Sequence, residues 1–325
     1  MTPDFVTMSN IIIDDIVLPD GRSFMNTLGG AGTHALIGMR VWSDQLGFAA
    51  TVGPDWDPRH RRFLESLGID LRGVVERPGY RTARAWQLFE PDERRIEVFR
   101  TKWEDFERYK PQLEDLPADY LWAQGWHLDW GTMSELADLI AYVRQVNPNL
   151  KLVWETTPEQ LTGQASVVRG ILAAVDLFAP DLEEAQALTD ETSIDHIIDK
   201  LLNWGVAAVA LRLGARGSLV ATGDGTLYRI PAVPATVVDV TGAGNAYCGG
   251  FLVGLGLGDQ MADAAARAAV SASFAIEQFG VPAWSAGKRV EAERRFQWTR
   301  ERIEVASPGS DIGVLLTRFQ PQSAQ

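Results

Sequence analysis

Among 325 residues there is one cysteine, Cys248. No disulfide can therefore close within the chain, and a reducing, cytoplasmic setting is the expectation. No run approaches the roughly 20 uncharged apolar residues of a membrane-spanning helix, and the first residues lack a basic stretch followed by an apolar one. Neither a membrane partner nor a targeting segment is expected. Basic charge is also short: 30 Lys and Arg stand against 43 Asp and Glu, a net charge of −13, which disfavours nucleic acid as the main partner. The only short basic cluster in the first third, Arg59, Arg61 and Arg62, is accounted for by a solvated helix face. Internal repeats and low-complexity tracts are absent. A P-loop needs GxxxxGK[ST], but Gly287 and Lys288 are followed by Arg289, with no glycine at the required earlier position. Gly242, Gly244 and Gly249 come too late for a dinucleotide-binding fingerprint, which follows an early strand and has an acidic residue about 20 positions on.

What is present is a chain 46% hydrophobic and 22% charged, able to bury one large α/β domain or a domain with an appended piece. Apolar strand patterns at Phe5 to Ile13, Leu46 to Val52, Tyr120 to Ala123, Leu150 to Trp154, Leu177 to Ala179 and Val206 to Leu213 are separated by helical patterns. The clearest of those helices cover Gly32 to Trp42, Thr132 to Val146, Leu182 to Leu188 and Ile194 to Trp204. This alternation predicts an α/β fold with a mostly parallel sheet covered on both faces. Residues 81–100 break the rhythm: Arg81 to Phe89 and Arg94 to Arg100 alternate like a hairpin around the polar Glu90 to Glu93. Two antiparallel strands there predict an excursion from the main sheet. An alanine-rich helix over Met261 to Phe279 and a charged one over Ala286 to Ile303 follow, and the tail from Ser307 is expected to fray.

The most informative stretch is Val237, Val238, Asp239, Val240, Thr241, Gly242, Ala243, Gly244, Asn245. It reads as a strand, a tight turn and a helix start, in which small residues let successive N–H groups converge where the helix dipole is positive. Such a turn is an anion hole. The sequence closely resembles the DTTGAGD signature of the ribokinase-like (PfkB) carbohydrate kinases. The resemblance implies a three-layer sandwich with a small β lid, and a role for Gly242, Ala243 and Gly244 in holding the phosphoryl group in flight. The final Asp of the signature takes the proton from the substrate hydroxyl, and its position here is Asn245, whose neutral amide cannot accept a proton as a carboxylate can.

Further motifs follow in the family's order over about residues 5–280. Asp14, ending the first strand pattern, matches the Asp that grips sugar hydroxyls, although Asp14 and Asp15 could also begin a polar turn. Gly29 and Gly30 open the loop that resembles GGxxxN, with His34 at the Asn position and the helix start as a competing explanation. The 81–100 hairpin matches the lid, and Arg100 at its end resembles an Arg that reaches the ligand in ketodeoxygluconate kinases. Pro180, Asp181, Leu182, Glu183, Glu184, Ala185 resemble PNxxEA, which implies Mg²⁺ organised by Asp181 and Glu184; acidic residues also stabilise a helix's first turn. Arg212, Gly214 and Gly217 resemble the GxxG turn beside the nucleotide, and Thr241 belongs to the same nucleotide subsite, although two glycines also serve turn geometry alone. Among Trp122, Trp126 and Trp130, which surround His127 and Asp129, packing is the expectation for at least two.

The resemblance implies ATP-dependent phosphorylation of a sugar or nucleoside hydroxyl, with ATP and Mg²⁺ as cofactors and the lid as a candidate homodimer contact. It divides the chain into a kinase domain, 1–285, and a C-terminal helix and tail, 286–325. The alternative is a pseudokinase that keeps the pocket for binding, as sensor or scaffold. A general base contributes about 10² to 10⁴ fold, whereas positioning and charge stabilisation dominate phosphoryl transfer, so the loss of the Asp does not by itself exclude turnover.

Overall fold

The computed structural model describes residues 2–90, 95–156 and 165–306; most of the expected hairpin turn (91–94) and the tail from 307 lie outside them. Seven strands run parallel in the spatial order β11 (Ala208–Arg212), β10 (Leu177–Phe178), β9 (Lys151–Trp154), β8 (Gly125–Leu128), β1 (Phe5–Met8), β4 (Leu46–Val52), β5 (Ile69–Glu76). Antiparallel strands β12 (Ser218–Thr222), β13 (Leu227–Ile230) and β14 (Glu304–Ala306) extend the sheet beyond β11 to ten strands. A separate four-stranded sheet has the order β3 (Ser23–Gly29), β2 (Ile12–Val17), β6 (Ala83–Phe89), β7 (Arg95–Phe99).

Side chains alternate across the large sheet, so each strand feeds two cores. Phe5 and Phe48 face the helices α1 (Ala31–Arg40), α8 (Ala243–Gly256) and α9 (Met261–Ala275). Val6 and Met8 join Trp126 and Trp154 on the other face, beneath α4 (Met133–Val146), α5 (Ala165–Leu172), α6 (Leu182–Thr189) and α7 (Ile194–Asn203). Helix α8 is buried from Ala246 through Gly254, the pattern of a core helix rather than a surface one. The remaining helices are α2 (Pro58–Ser66), α3 (Trp103–Tyr109) and α10 (Ala286–Arg300). Residues 286–306 join the same body, because Phe296 of α10 packs edge-on against Trp42 at 5.8 Å and β14 pairs with β13.

Three strand expectations differ from the structure. The apolar run Phe5 to Ile13 is two strands in two sheets, because the chain leaves the ladder at Asn10, whose Oδ1 accepts from Ala31 N at 3.1 Å. Asp14 therefore belongs to the lid sheet. Tyr120 to Ala123 is not a strand: Ala118–Trp122 is a short 3₁₀ turn and the strand starts at Gly125. Side chains bond three of its carbonyls, Leu121 and Ala123 through Asn147 Nδ2 and Tyr120 through Trp126 Nε1, which holds the segment in a turn rather than a ladder. Val237 to Val240 forms no strand, and the chain bends at Val238. Val238 and Asp239 instead donate to Ile276 O, and the three valines face outward.

Candidate active site

The parallel strands β1, β8, β9, β10 and β11 end at one rim, and the residues just beyond them line a cavity of about 380 Å³. Ligands bind at such carboxyl ends in open α/β sheets. From this rim come Asn10, Asp129, Glu155, Thr156, Asp181 and, at the end of β11 itself, Arg212; the lid supplies Asp14, Gln87, Arg95 and Glu97. The opposing wall is the start of α8.

Gly242 caps α8 with φ 75°, a left-handed conformation that suits glycine, and has no side chain to cap the helix. Its backbone lies on the His34 ring: a Cβ at Gly242 would sit 2.1 Å from His34 Cγ. The first-turn N–H groups of Gly244 and Asn245 have no partner earlier in the helix, and both residues line the cavity. Gly244 needs its small size because a Cβ there would fall 1.6 Å from Arg212 Nη1. The turn thus sets a positive helix end beside the Arg212 guanidinium, which is itself 3.9 Å from Glu155.

Beneath it lies a buried polar network centred on Glu155. Glu155 Oε1 accepts from His127 Nε2 at 2.8 Å and from Asn245 Nδ2 at 2.5 Å, while Oε2 accepts from the Cys248 thiol at 3.1 Å. His127 Nδ1 pairs with the Thr7 hydroxyl at 2.8 Å. Burial opposes ionisation of Glu155, but His127, Arg212 and the Asn245 amide outweigh it and hold the carboxyl down to about 2. Burial and the neighbouring Glu155 push the Cys248 thiol well up, so it stays a proton donor. His127, Glu155 and Cys248 are the one His, Cys and carboxylate group close enough to share an ion among the described residues. The protonated thiol and the Arg212 cation, 3.9 Å from Glu155, argue against that use.

Arg212 Nη2 also donates to Glu184 Oε2 at 3.0 Å. Glu184 and Asp181 form a capping box at the start of α6, with Asp181 N donating to Glu184 Oε2 and Glu184 N to Asp181 Oδ1. Burial pushes the Glu184 carboxyl up to about 7 against the pull of Arg212. Both acidic residues are walls of the cavity, so the helix-cap role does not remove them from it.

On the lid, strand alternation separates two neighbours. Asp14 faces the cavity and accepts from Gln87 Nε2 at 3.0 Å; burial raises its carboxyl to about 7. Burial likewise depresses His34, to about 4. Asp15 faces the opposite side, where Arg100 Nη1 donates to it at 3.1 Å and lies over the Trp86 ring. Arg100 is thus not a cavity wall. The cation of β7 that faces the cavity is Arg95, which donates to Gln87 Oε1 at 3.0 Å and reaches Thr241 Oγ1 at 3.5 Å. Sequence reasoning did not select Asn10, Gln87, Arg95, Glu97, Asp129, Glu155 or Thr156 as site residues, although all line the cavity; for Gln87, Arg95 and Glu97 the period-2 pattern of the hairpin was the only signal.

The other expected residues divide similarly. Gly30, His34, Thr241, Gly242, Gly244, Asn245, Asp181, Glu184 and Arg212 line the cavity. Gly29 lies against the Asp14 carboxylate, where a Cβ would be 2.0 Å from Oδ2. Ala243 opens α8 behind the wall, and Gly214 and Gly217 sit on the β11–β12 turn outside it. Trp126 and Trp130 are buried whereas Trp122 is 65% exposed.

The sequence profile of pfkB family carbohydrate kinases matches residues 4–285. The chain belongs to that family. As a pfkB family kinase it is a phosphotransferase that uses ATP. It is 28% identical over 317 residues to an uncharacterized protein of Schizosaccharomyces pombe, covering 86% of each chain. It is 26% identical to the cytidine kinase of Thermococcus kodakarensis, over 78% of this chain and 89% of that one. Its fold is shared with the nucleoside kinase of Methanocaldococcus jannaschii, at a TM-score of 0.69 and 19% identity, covering 91% of this kinase and 99% of that chain. The three-layer α/β body with a separate four-stranded lid is thus the ribokinase-like fold. Among the described residues no helix is long and apolar enough to cross a membrane.

Proposed function

We propose that this cavity transfers a phosphoryl group from ATP to a hydroxyl of a sugar or nucleoside. The observation that carries the reading is that one cavity joins Asp14, His34, the Gly242 to Asn245 turn and Arg212. Asp14, once ionised, accepts acceptor hydroxyl bonds. Asn245, with its amide nitrogen committed to Glu155, offers Oδ1 to the reacting hydroxyl and orients it without taking its proton, which leaves to solvent water or to an oxygen of the transferred phosphoryl group as the bond to ADP breaks. The α8 N-terminus and Arg212 stabilise charge on the group in transfer. Bound Mg-ATP supplies the phosphoryl donor and a divalent charge. The residues fit both parts: the N–H groups of Gly244 and Asn245 suit a phosphate, and Asp181 and Glu184 present the hard oxygen donors that Mg²⁺ takes, commonly through water. The Gly214 to Gly217 turn lies on the side where the nucleotide is placed in this reading. Without a carboxylate base, turnover is slow, by about 10² to 10⁴ fold.

A second reading has its own support. Arg212 occupies the space beside Gly244 and the Asn245 amide is tied to Glu155, an arrangement that also suits a pseudokinase retaining the pocket for sensing or scaffolding. A panel of pentoses, hexoses, sugar acids and nucleosides, scored by ADP release alongside calorimetry with ATP and Mg²⁺, separates the two. Turnover of any acceptor above the ATPase background is the expected result. ATP binding with silence across the panel establishes the pseudokinase.

A further inference from the structure

Beside the main cavity lies a smaller one of about 70 Å³, and the two share Asn10 and Asp129 in their walls. Its floor is the rim where β1 and β4 end, at Ser9 and Thr51, and its sides are aromatic: Trp103 and Phe106 of α3, and Trp130. Thr51 is 6% exposed, yet its Oγ1 is buried without a hydrogen-bond partner among the described residues. A buried hydroxyl left unpaired costs free energy, and a ligand atom in this cavity is what could pair it. Trp103 is 56% exposed, so a large aromatic face stands at the mouth with little packed on it.

We propose that this side cavity is a subsite for a planar heterocycle, which makes the acceptor a nucleoside rather than a free sugar. The inference rests on the reading of the main cavity as the acceptor site. A sugar seated between Asp14 and Asn10 carries a substituent toward Asp129 and the aromatic walls. Aromatic faces stack on nucleobases of any sequence type, and the Asp129 carboxylate and Thr51 hydroxyl bond ring N–H and carbonyl groups. A sugar acid fits less well. The cation of the cavity, Lys110, is already held by Glu107 and Glu135, each at 3.0 Å, and Asp129 and Glu107 repel a second carboxylate.

Calorimetry of the full chain with adenosine, cytidine and D-ribose, with ADP release measured in parallel, tests it. Nucleosides are expected to bind at least about tenfold more tightly than ribose. Trp103→Ala should weaken nucleoside binding about tenfold, the scale of one lost stacking contact, and because Trp103 is 56% exposed the variant keeps the wild-type fold. Thr51→Val, which removes the unpaired hydroxyl at nearly constant shape, should raise the thermal midpoint while weakening nucleoside binding; a purely structural threonine shows no such opposition. Ribose bound as tightly as nucleosides, or nucleoside affinity unmoved in both variants, overturns the subsite. Phosphorylation of free pentoses without nucleoside preference overturns it and leaves the kinase reading intact. Nucleoside binding sensitive to Trp103→Ala without ADP release from any acceptor upholds the subsite and overturns the kinase reading.

Discussion

The contact between Asn245 Nδ2 and Glu155 Oε1, at 2.5 Å, changes what restoring the family's carboxylate would do. Asn245→Asp places two carboxylates at hydrogen-bond distance, and such a pair shares a proton because both cannot easily ionise. The new base is then free only above the upper pKa of the pair. We expect Asn245→Asp to show ADP release that climbs with pH, and Asn245→Asp with Glu155→Gln, which restores a donor at that contact, to gain activity at lower pH. The gain reaches up to the general-base range of about 10² to 10⁴. Rate profiles against pH for wild type and both variants decide it; profiles that coincide with wild type, where wild-type turnover is measurable, rule out a proton-accepting role at this position. The identity of residue 245 was plain in the sequence. Its partner was not, because Glu155 follows β9, 90 positions away, and nothing local marks the two as neighbours.

At the scale of elements, the lid shows how one residue of strand phase decides function. Side chains on β7 alternate between the cavity and the outer face, so a slip of one residue exchanges the two sets. Arg95 and Glu97 take the inner face, and Arg100, beyond the strand end, reaches Asp15 on the outer one. Truncation of Arg95 removes its bonds to Gln87 and Thr241, which link the lid to the start of α8. Arg95→Ala should raise the acceptor KM about tenfold, in line with a charge-assisted bond, whereas Arg100→Ala should change it less than about threefold, since Arg100 does not line the cavity and its buried partner Asp15 keeps Asn26 N and the Arg84 cation. Steady-state kinetics on both variants test this, and a larger effect from Arg100 would reverse the assignment of faces. The hairpin itself was legible from its alternation. That β2 and β3 join it was not, because the apolar run from Phe5 to Ile13 has no composition break where the chain passes from one sheet to the other.

For the whole molecule, burial of ionisable groups in the cavity links stability to pH. Asp14 has its folded pKa raised from 3.8 to about 7, so between about pH 4 and 7 the folded protein holds a proton that the unfolded chain has released. Its contribution is present at low pH and is lost as pH rises through that window. Glu184, also raised to about 7, acts in the same direction, while His34, depressed to about 4, acts in the opposite one: its contribution is present near neutrality and is lost as pH falls from about 6.5. Asp14→Asn removes one of these linkages. Thermal midpoints of the unliganded protein should show wild type losing stability relative to Asp14→Asn as pH goes from 4 to 7; parallel curves would mean that Asp14 is ionised throughout.

Local sequence determined the alternation of strands and helices, the turn at Gly242 to Asn245, the acidic first turn of the helix at Asp181 to Glu184, and the packing of Trp126 and Trp130. Each depends on periodicity, on a capping geometry or on residue size, which act within a few positions. Tertiary structure alone decided that Arg212 stands beside Gly244, that Glu155 gathers His127, Asn245 and Cys248, that Arg95 rather than Arg100 faces the cavity, and that residues 304–306 complete the large sheet at its edge. These contacts join segments tens to more than a hundred residues apart. Their partners are selected by strand order and by which face of a strand or helix turns inward, and both are properties of the assembled sheet rather than of any single stretch of chain.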